Sequence, residues 1–393
     1  MTRSRTGVGT VSIRATFLIH GAVQGTWASR IPGISDGLEL TNGALGIALF
    51  LQVVGGLAAL AWAGRLVRLH GAVLVTRVGL VSYVASLVAI GLAPSFGLLS
   101  AAMVLVGAAG AACDVAMNAQ ASAVEKSLDR PIMSGLHGAW SAGSLVSAGV
   151  AVAVATVGVG VRPHLVAVAV VLLAVAVPTL SGVRPVPVTP AAGRQRSGPA
   201  PAPLVRLGCL AALAMYAEGA GADWSAVYVH DVTGLAAGTA AVGYAGFAAA
   251  MVAGRFVGDS IVRAVGPVPT ARTAATVSVI GSVVVITAVA APMAVAGFVL
   301  QGVGLSVLVP LLLSAAGRHG GDHGAGSAIA TVSAIGYVGW LVAPMLVGQL
   351  AELASLRAAF ATVAVAGVVL AFAAGAVAQR TTTPKKEGCA VEG

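Results

Sequence analysis

Residues 183–203 read VRPVPVTPAAGRQRSGPAPAP. Prolines at 185, 187, 190, 199, 201 and 203 deny a helix its backbone donors, and Arg184, Arg194 and Arg196 hold the stretch in water. Both flanks are of another character. The chain of 393 residues is 58% hydrophobic and 9% charged, with a mean hydropathy of +0.96. An ordinary soluble domain is about 25% charged, so neither flank has the polar residues to cover a water-facing surface. The stretch therefore reads as a hydrophilic connection between two membrane-embedded halves. Soluble enzymes, nucleic-acid readers and disordered tails are excluded as classes.

Working outward from this connection, breaks at polar, Pro and Gly clusters predict twelve transmembrane helices, numbered here as spans. Their limits are 11–30, 43–64, 72–92, 96–121, 132–157, 163–181, 204–228, 237–257, 268–290, 293–316, 325–350 and 357–378. Each is near the roughly 20 residues that cross a bilayer. With the N-terminus cytoplasmic, only Arg30, Arg162 and Arg357 of the 22 Lys and Arg fall in external loops. That asymmetry is the one the positive-inside rule describes, and it puts both termini inside the cell membrane. The basic start and first apolar run look like a signal peptide, but the run carries His20, Gln24, Trp27 and Arg30 and reads as a retained first span. Cys113, Cys209 and Cys389 are scattered and have no metal-type or disulfide spacing.

The halves repeat one another. Ala63-Gly64-Arg65-Leu66-Val67 ends span two, and Ala253-Gly254-Arg255-Phe256-Val257 ends span eight. Trp27 matches Trp224, and Gly143 in span five matches Gly339 in span eleven, all at offsets of 190 to 197 residues. The expected division is 1–182 for an N-terminal six-helix bundle, 183–203 for a cytoplasmic linker, 204–380 for a C-terminal bundle and 381–393 for a tail. Two repeated bundles around a central cavity are a transporter plan.

On these features the chain resembles the major facilitator superfamily over essentially its whole length. Three stretches are more specific: CDVAMNAQASAVE at 113–125, MSGLHGAWSAGSLVSAG at 133–149, and EGAGADWSAVY at 218–228 followed by AGRFVGD at 253–259. They resemble a little-characterised bacterial branch grouped near the fucose-permease-like sugar symporters. The fold implied is all-α, with twelve transmembrane helices in two pseudo-symmetric six-helix bundles. There are departures from the family pattern. Its loop between spans two and three usually reads G-x-L-x-D-R-x-G-R; here Gly64, Arg65, Arg68 and Gly71 stand there, with Arg68 in the place of the Asp. The second half keeps Gly254, Arg255, Asp259 and Arg263 in the equivalent loop. These eight residues are the expected conformational loops. The proline that drug/proton antiporters carry in span five is absent, as is the acidic residue of fucose permease in span one, where His20 and Gln24 stand.

An ionisable side chain at bilayer depth costs about 2.5–3.5 kcal/mol on insertion scales and is a functional candidate by default. His20 and Gln24 share one face of span one, with Trp27 a turn further; Asp114 and Asn118 have the same spacing on span four. Glu218 lies near the middle of span seven, Asp223 nearer its outer end, and Gln301 in span ten. The resemblance implies that spans one, four, seven and ten line the cavity. Glu218 and Asp114 are the expected proton-coupling groups. His20, Gln24, Trp27, Asn118, His137, Trp140, Asp223, Trp224, Gln301 and Tyr337 are the expected solute-binding residues, although Asp114 bonded to His137 and anchoring tryptophans are structural readings of the same pattern. His319-Gly-Gly-Asp322-His323 reads as a short solvated loop, so no metal site is expected.

The expected function is secondary active transport of a small solute, a sugar or related polar metabolite, by proton-coupled alternating access. Proton-antiport export of a drug or amphipathic metabolite is the alternative. No G-x-x-x-x-G-K-[ST] occurs, so ATP is not the expected fuel. A membrane enzyme would need a convergent catalytic set that the spacing of acids does not supply, so neither enzymatic activity nor a cofactor is expected. The expected partners are the solute, protons and the lipid bilayer, with no nucleic acid, and the protein is expected to be a monomer.

Overall fold

The computed structural model describes residues 2–128, 132–183 and 201–378, and among these the side chains of all but 2–9, 126–127, 134 and 320–326. Most of the expected linker and the whole expected tail lie outside the described residues. In chain order the helices are α1 (Thr2–Ala28), α2 (Ile31–Gly37), α3 (Asn42–His70), α4 (Ala72–Leu92), α5 (Phe96–Leu128), α6 (Met133–Thr156) and α7 (Val161–Gly182). After the connection come α8 (Ala202–Thr233), α9 (Ala237–Ala240), α10 (Val242–Val265), α11 (Pro267–Thr287), α12 (Ala291–Leu305), α13 (Leu308–Leu353) and α14 (Leu356–Phe372), closed by a 3-10 turn, Ala373–Val377.

Eleven helical segments among the described residues are long and apolar enough to cross a membrane. The first expected span is not one of them. As α1 it carries Arg14, His20 and Gln24, and it is held by packing on α6 and α7. The other departure falls between spans ten and eleven. The helix breaks at Ser306 and Val307, and helical turns then continue from Leu308 to Leu353 where a loop was expected. A straight run of twelve residues would cover about 18 Å, yet Ile329 Cδ1 is 3.3 Å from where a Cβ on Gly317 would sit. The chain therefore reverses between Gly317 and Ile329, and two crossing segments, Ala291–His319 and Ser327–Leu353, remain.

Capping marks the helix ends. Thr41 and Ser355 accept from the N–H groups of Ala44 and Ala358 at the starts of α3 and α14. Gly71 after α3 and Gly266 after α10 take φ of 80° and 87°, a turn that a side chain would strain. They are 195 residues apart, so the repeat extends to backbone geometry.

The helices of the first half pack mainly among themselves, as do those of the second. In the absence of a hydrophobic drive between helices in lipid, small residues allow backbones to close up. A Cβ on Gly143 of α6 would overlap Leu18 O of α1, and one on Gly339 of α13 would overlap Ala212 O of α8. Gly143 also abuts Ala22 N and Gly339 abuts Tyr216 N, so both contacts recur at one common offset. The outer surface is oily: Trp62, Val170, Phe256, Val365 and Phe372 are all exposed. Between the halves the principal contacts are α3 with α13 and α6 with α10.

Candidate functional site

The two halves enclose a cavity of about 500 Å³. Its wall on the first-half side is a chain of neutral hydrogen bonds. Trp140 Nε1 donates to His20 Nδ1 at 3.0 Å, and His20 Nε2 lies 3.1 Å from Gly110 O. An indole N–H only donates and a carbonyl only accepts, so His20 is the Nε2–H tautomer with both nitrogens engaged. The His20 ring packs on Tyr83 at 4.6 Å, and Tyr83 Oη donates to Gln24 Oε1 at 3.1 Å. Asp114 borders the same space and is held by Asn118, whose Nδ2 donates to Asp114 Oδ1 at 3.0 Å and to Asp114 O at 2.9 Å. The residues four apart on α5 thus bond each other, rather than Asp114 bonding His137.

The opposite wall carries the charge pair. Arg255 Nη2 of α10 donates to Glu218 Oε1 of α8 at 2.8 Å. Glu218 is 15% exposed and Arg255 44%, so the guanidinium reaches toward the cavity mouth. Tyr337 and Trp340 of α13 also border the cavity. The wider chemistry is mixed: carboxylates, one guanidinium, amides, hydroxyls and aromatic faces surround an apolar lining.

Among the described residues, the polar bridges between the halves gather at one end. Gly43 N donates to Glu352 Oε2 at 3.2 Å and Gln349 Nε2 to Gly43 O at 3.3 Å, where the start of α3 meets the end of α13. His230 meets Asp36 beside them, and Ser144 Oγ bonds Tyr244 Oη at 3.1 Å at the cavity's inner end. All of these lie away from the linker. On the linker side the halves merely approach, with Phe256 Cζ 4.0 Å from the position of a Cβ on Gly138. The cavity consequently opens toward the linker side.

Of the expected site residues, His20, Gln24, Asp114, Trp140, Glu218 and Tyr337 border this cavity. Trp27 and Trp224 are fully buried in the helix core, and Trp224 packs near Gly348 of α13. Gln301 is buried and donates Nε2 to Ser282 Oγ at 3.0 Å. His137 is exposed, edge-on to Phe17 at 5.4 Å. Asn118 supports Asp114, and Asp223 is half-buried outside the cavity lining. Among the expected conformational-loop residues, Gly64 stands near Arg68 Nη1, Arg65 lies over the Trp62 ring at 5.7 Å, and Arg263 donates to Ser260 Oγ at 2.9 Å. Gly254 packs against Ser306, Asp259 is exposed, and Arg255 alone of this group lines the cavity.

The sequence reading passed over Gln52, Tyr83, Ser144 and Tyr244, which also border the cavity. Tyr83 is mid-helix in α4 and Tyr244 lies in the first turn of α10, and a buried hydroxyl needs a partner; that was the available signal. Among the described residues no group of three or more His, Cys, Asp or Glu is placed to hold a metal ion. Asp322 and His323 lie outside the described side chains.

A central cavity between two repeated helical bundles, open at one end and bridged at the other, defines a multi-pass membrane transporter. Comparison with known proteins makes the assignment specific. The family model of the Major Facilitator Superfamily matches residues 14–292, and the chain belongs to that superfamily. It is 35% identical to the uncharacterized transporter y4wD of Sinorhizobium fredii, over 93% of this chain and 97% of that protein. It is 30% identical to membrane protein MosC of Rhizobium meliloti, over 91% and 87% of the two chains. Among solved structures it is similar to the nucleoside transporter NupG (TM-score 0.72, 10% identity, 93% of this chain and 98% of that one). It is also similar to the inward open conformation of the xylose transporter XylE from E. coli (TM-score 0.72, 14% identity, 96% and 98%). At these identities the solved structures establish the fold alone.

Proposed function

We propose that the protein is a proton-coupled secondary transporter that imports a small polar solute, a sugar or related metabolite, by alternating access. The observation that carries this reading is the cavity, with Glu218 and Asp114 on its walls and a partner geometry that differs between its two ends. A carboxylate at this depth is a proton carrier in pumps and transporters. Amides and hydroxyls from Gln24, Gln52 and Ser144, beside the aromatic faces of Trp140 and Trp340, suit a hydroxylated solute. The resemblance of residues 113–125, 133–149 and 218–228 to the fucose-permease-like branch supports the same class.

The linker side is cytoplasmic in this reading, because only Arg30, Arg162 and Arg357 of the Lys and Arg residues lie at the other side. The described conformation is then inward-open. The units that rock are the two six-helix bundles flanking the linker, with the bridges at Gly43, Glu352 and Gln349 parting as the outer side opens. The test is uptake into proteoliposomes under an imposed pH gradient, with sugars, sugar acids and nucleosides as solutes. Accumulation is expected in the parent protein and loss of gradient-driven accumulation in Glu218→Gln or Asp114→Asn. Full accumulation in both variants would remove these carboxylates from the coupling.

A further inference from the structure

At the rim opposite the linker, the last turn of α8 meets α2. His230 Nδ1 lies 2.7 Å from Leu235 O, and Nε2 lies 3.2 Å from the Asp36 carboxylate. A carbonyl and a carboxylate oxygen accept and cannot donate, so both bonds stand together only when both ring nitrogens carry hydrogen. The geometry is that of an imidazolium. Its surroundings agree: Asp231 Oδ1 is 4.0 Å away, and the carbonyl end of α8 favours a cation in its last turn. α9, the other element packed here, carries no titratable residue. The side chains of His230 and Asp36 remain 24% and 52% exposed, so water can deliver and remove the proton.

Asp36 belongs to the first half and His230 to the second. A neutral imidazole has one N–H; if Nδ1 keeps it for Leu235, the Nε2 lone pair faces a carboxylate and the bond between the halves is lost. We propose that His230 is a proton-binding site separate from the cavity, and that its protonated form ties the halves together on the side away from the linker. This rests on the rocking of the halves proposed above. With the linker cytoplasmic, the site reads the external medium, and an acidic exterior favours the state in which the outer side is shut. It uses neither Glu218 nor Asp114.

The experiment uses the full chain in nanodiscs, with Cys113 and Cys209 changed to Ala and Cys389 to Ser. Spin labels are placed through Val157→Cys and Val289→Cys, two exposed positions on the far side, one in each half. The distance distribution is measured by electron–electron resonance between pH 5.5 and 8.5, without solute. The ratio of open to closed populations is expected to rise about three- to fivefold with pH in the parent, the size expected of one exposed ion pair. The response is expected to vanish in His230→Gln and in Asp36→Asn and to persist in Asp231→Asn. Two populations with the same pH response in His230→Gln would overturn the tie while leaving the rocking intact. A single, pH-independent distance in every protein would overturn both.

Discussion

Replacing Arg255 by Met tests the Glu218–Arg255 pair more severely than replacing Glu218 does, for a reason visible in their exposure. Two unit charges 2.8 Å apart attract by about 6 kcal/mol at an effective dielectric of about 20. Desolvation of the two ions takes back several kcal/mol. Arg255 is 44% exposed and keeps part of its water, which screens the pair further. A net coupling of about 2 kcal/mol is the expected remainder. The single variants should be unequal. Arg255→Met leaves a carboxylate, 15% exposed, in an apolar wall without its counter-charge, at a cost of about 2–3 kcal/mol, near the low end for a broken buried pair. Glu218→Gln leaves a guanidinium that can turn to the mouth, and the amide oxygen still accepts; about 1 kcal/mol or less is expected. The double variant should lie only about 1 kcal/mol below the parent, well short of the sum of the single effects, because neither charge remains to be compensated. The assay is thermal unfolding of the purified full chain in detergent, followed by size-exclusion at one heating rate, since such unfolding is scan-rate dependent. Roughly 2–4 °C per kcal/mol for chains of some size puts Arg255→Met several degrees below the parent. If the two single effects add in the double variant, or if Glu218→Gln is the more damaging, the pairing does not stabilise the wall as argued.

The glycine contacts give a second test: Gly143→Leu and Gly339→Leu should each lower the thermal midpoint by several degrees, since overpacking costs about 1–3 kcal/mol or more. Gly149→Ala, whose new Cβ meets nothing within 4 Å, should match or exceed the parent, as a helical Gly to Ala change is worth up to about 1 kcal/mol. In ¹⁵N-histidine NMR, neutral His20 should be found as the Nε2–H tautomer; a neutral Nδ1–H signal assigned to it would contradict its bonds to Trp140 and Gly110. Arg30 is buried, with Nε donating to His164 Nδ1 at 3.0 Å and Nη2 to Val159 O at 2.8 Å. Arg30→Lys should be nearly as destabilising as Arg30→Met in the same thermal assay, because one ammonium cannot reproduce the two-pronged geometry.

The architecture was readable because its determinants are composition and repetition, both of which survive without coordinates. A charged fraction of 9% leaves too little polarity for a water-facing surface, and the distribution of Lys and Arg between loops supported the expected count of twelve crossings. The motif Gly64-Arg65 against Gly254-Arg255 shows the duplication directly. What the reading by composition missed was the break at Ser306 and Val307, although Pro310 announces it, since its ring nitrogen has no hydrogen to give Ser306 O. Composition also could not show what would satisfy His20 and Gln24 in α1: hydropathy registers them as a penalty, whereas the packed helix supplies Gly110, Trp140 and Tyr83 as partners.

The site was partly readable for a different physical reason. Polarity at bilayer depth is costly wherever it occurs, so the sequence marks such residues without saying what each one faces. His20, Gln24, Asp114 and Glu218 border the cavity, while Gln301 spends its amide on Ser282 in a helix contact, at equal cost in hydropathy. Only the rotation of each helix separates the two cases, and that rotation is decided by glycine contacts such as Gly143 on Leu18 and Gly339 on Ala212. Arg255 shows the same limit from the other direction. Its motif places it at a helix end with the loop residues, yet a long side chain carries its charge back about a turn, to Glu218 on another helix. The contacts between halves are further still from sequence logic. Gly43 with Glu352, Asp36 with His230 and Ser144 with Tyr244 join residues 100 to 309 positions apart, and in the cycle proposed above each belongs to the conformation whose far side is closed. A residue pattern can encode a helix face, but a contact that the proposed cycle would make and break has no fixed partner for a pattern to encode.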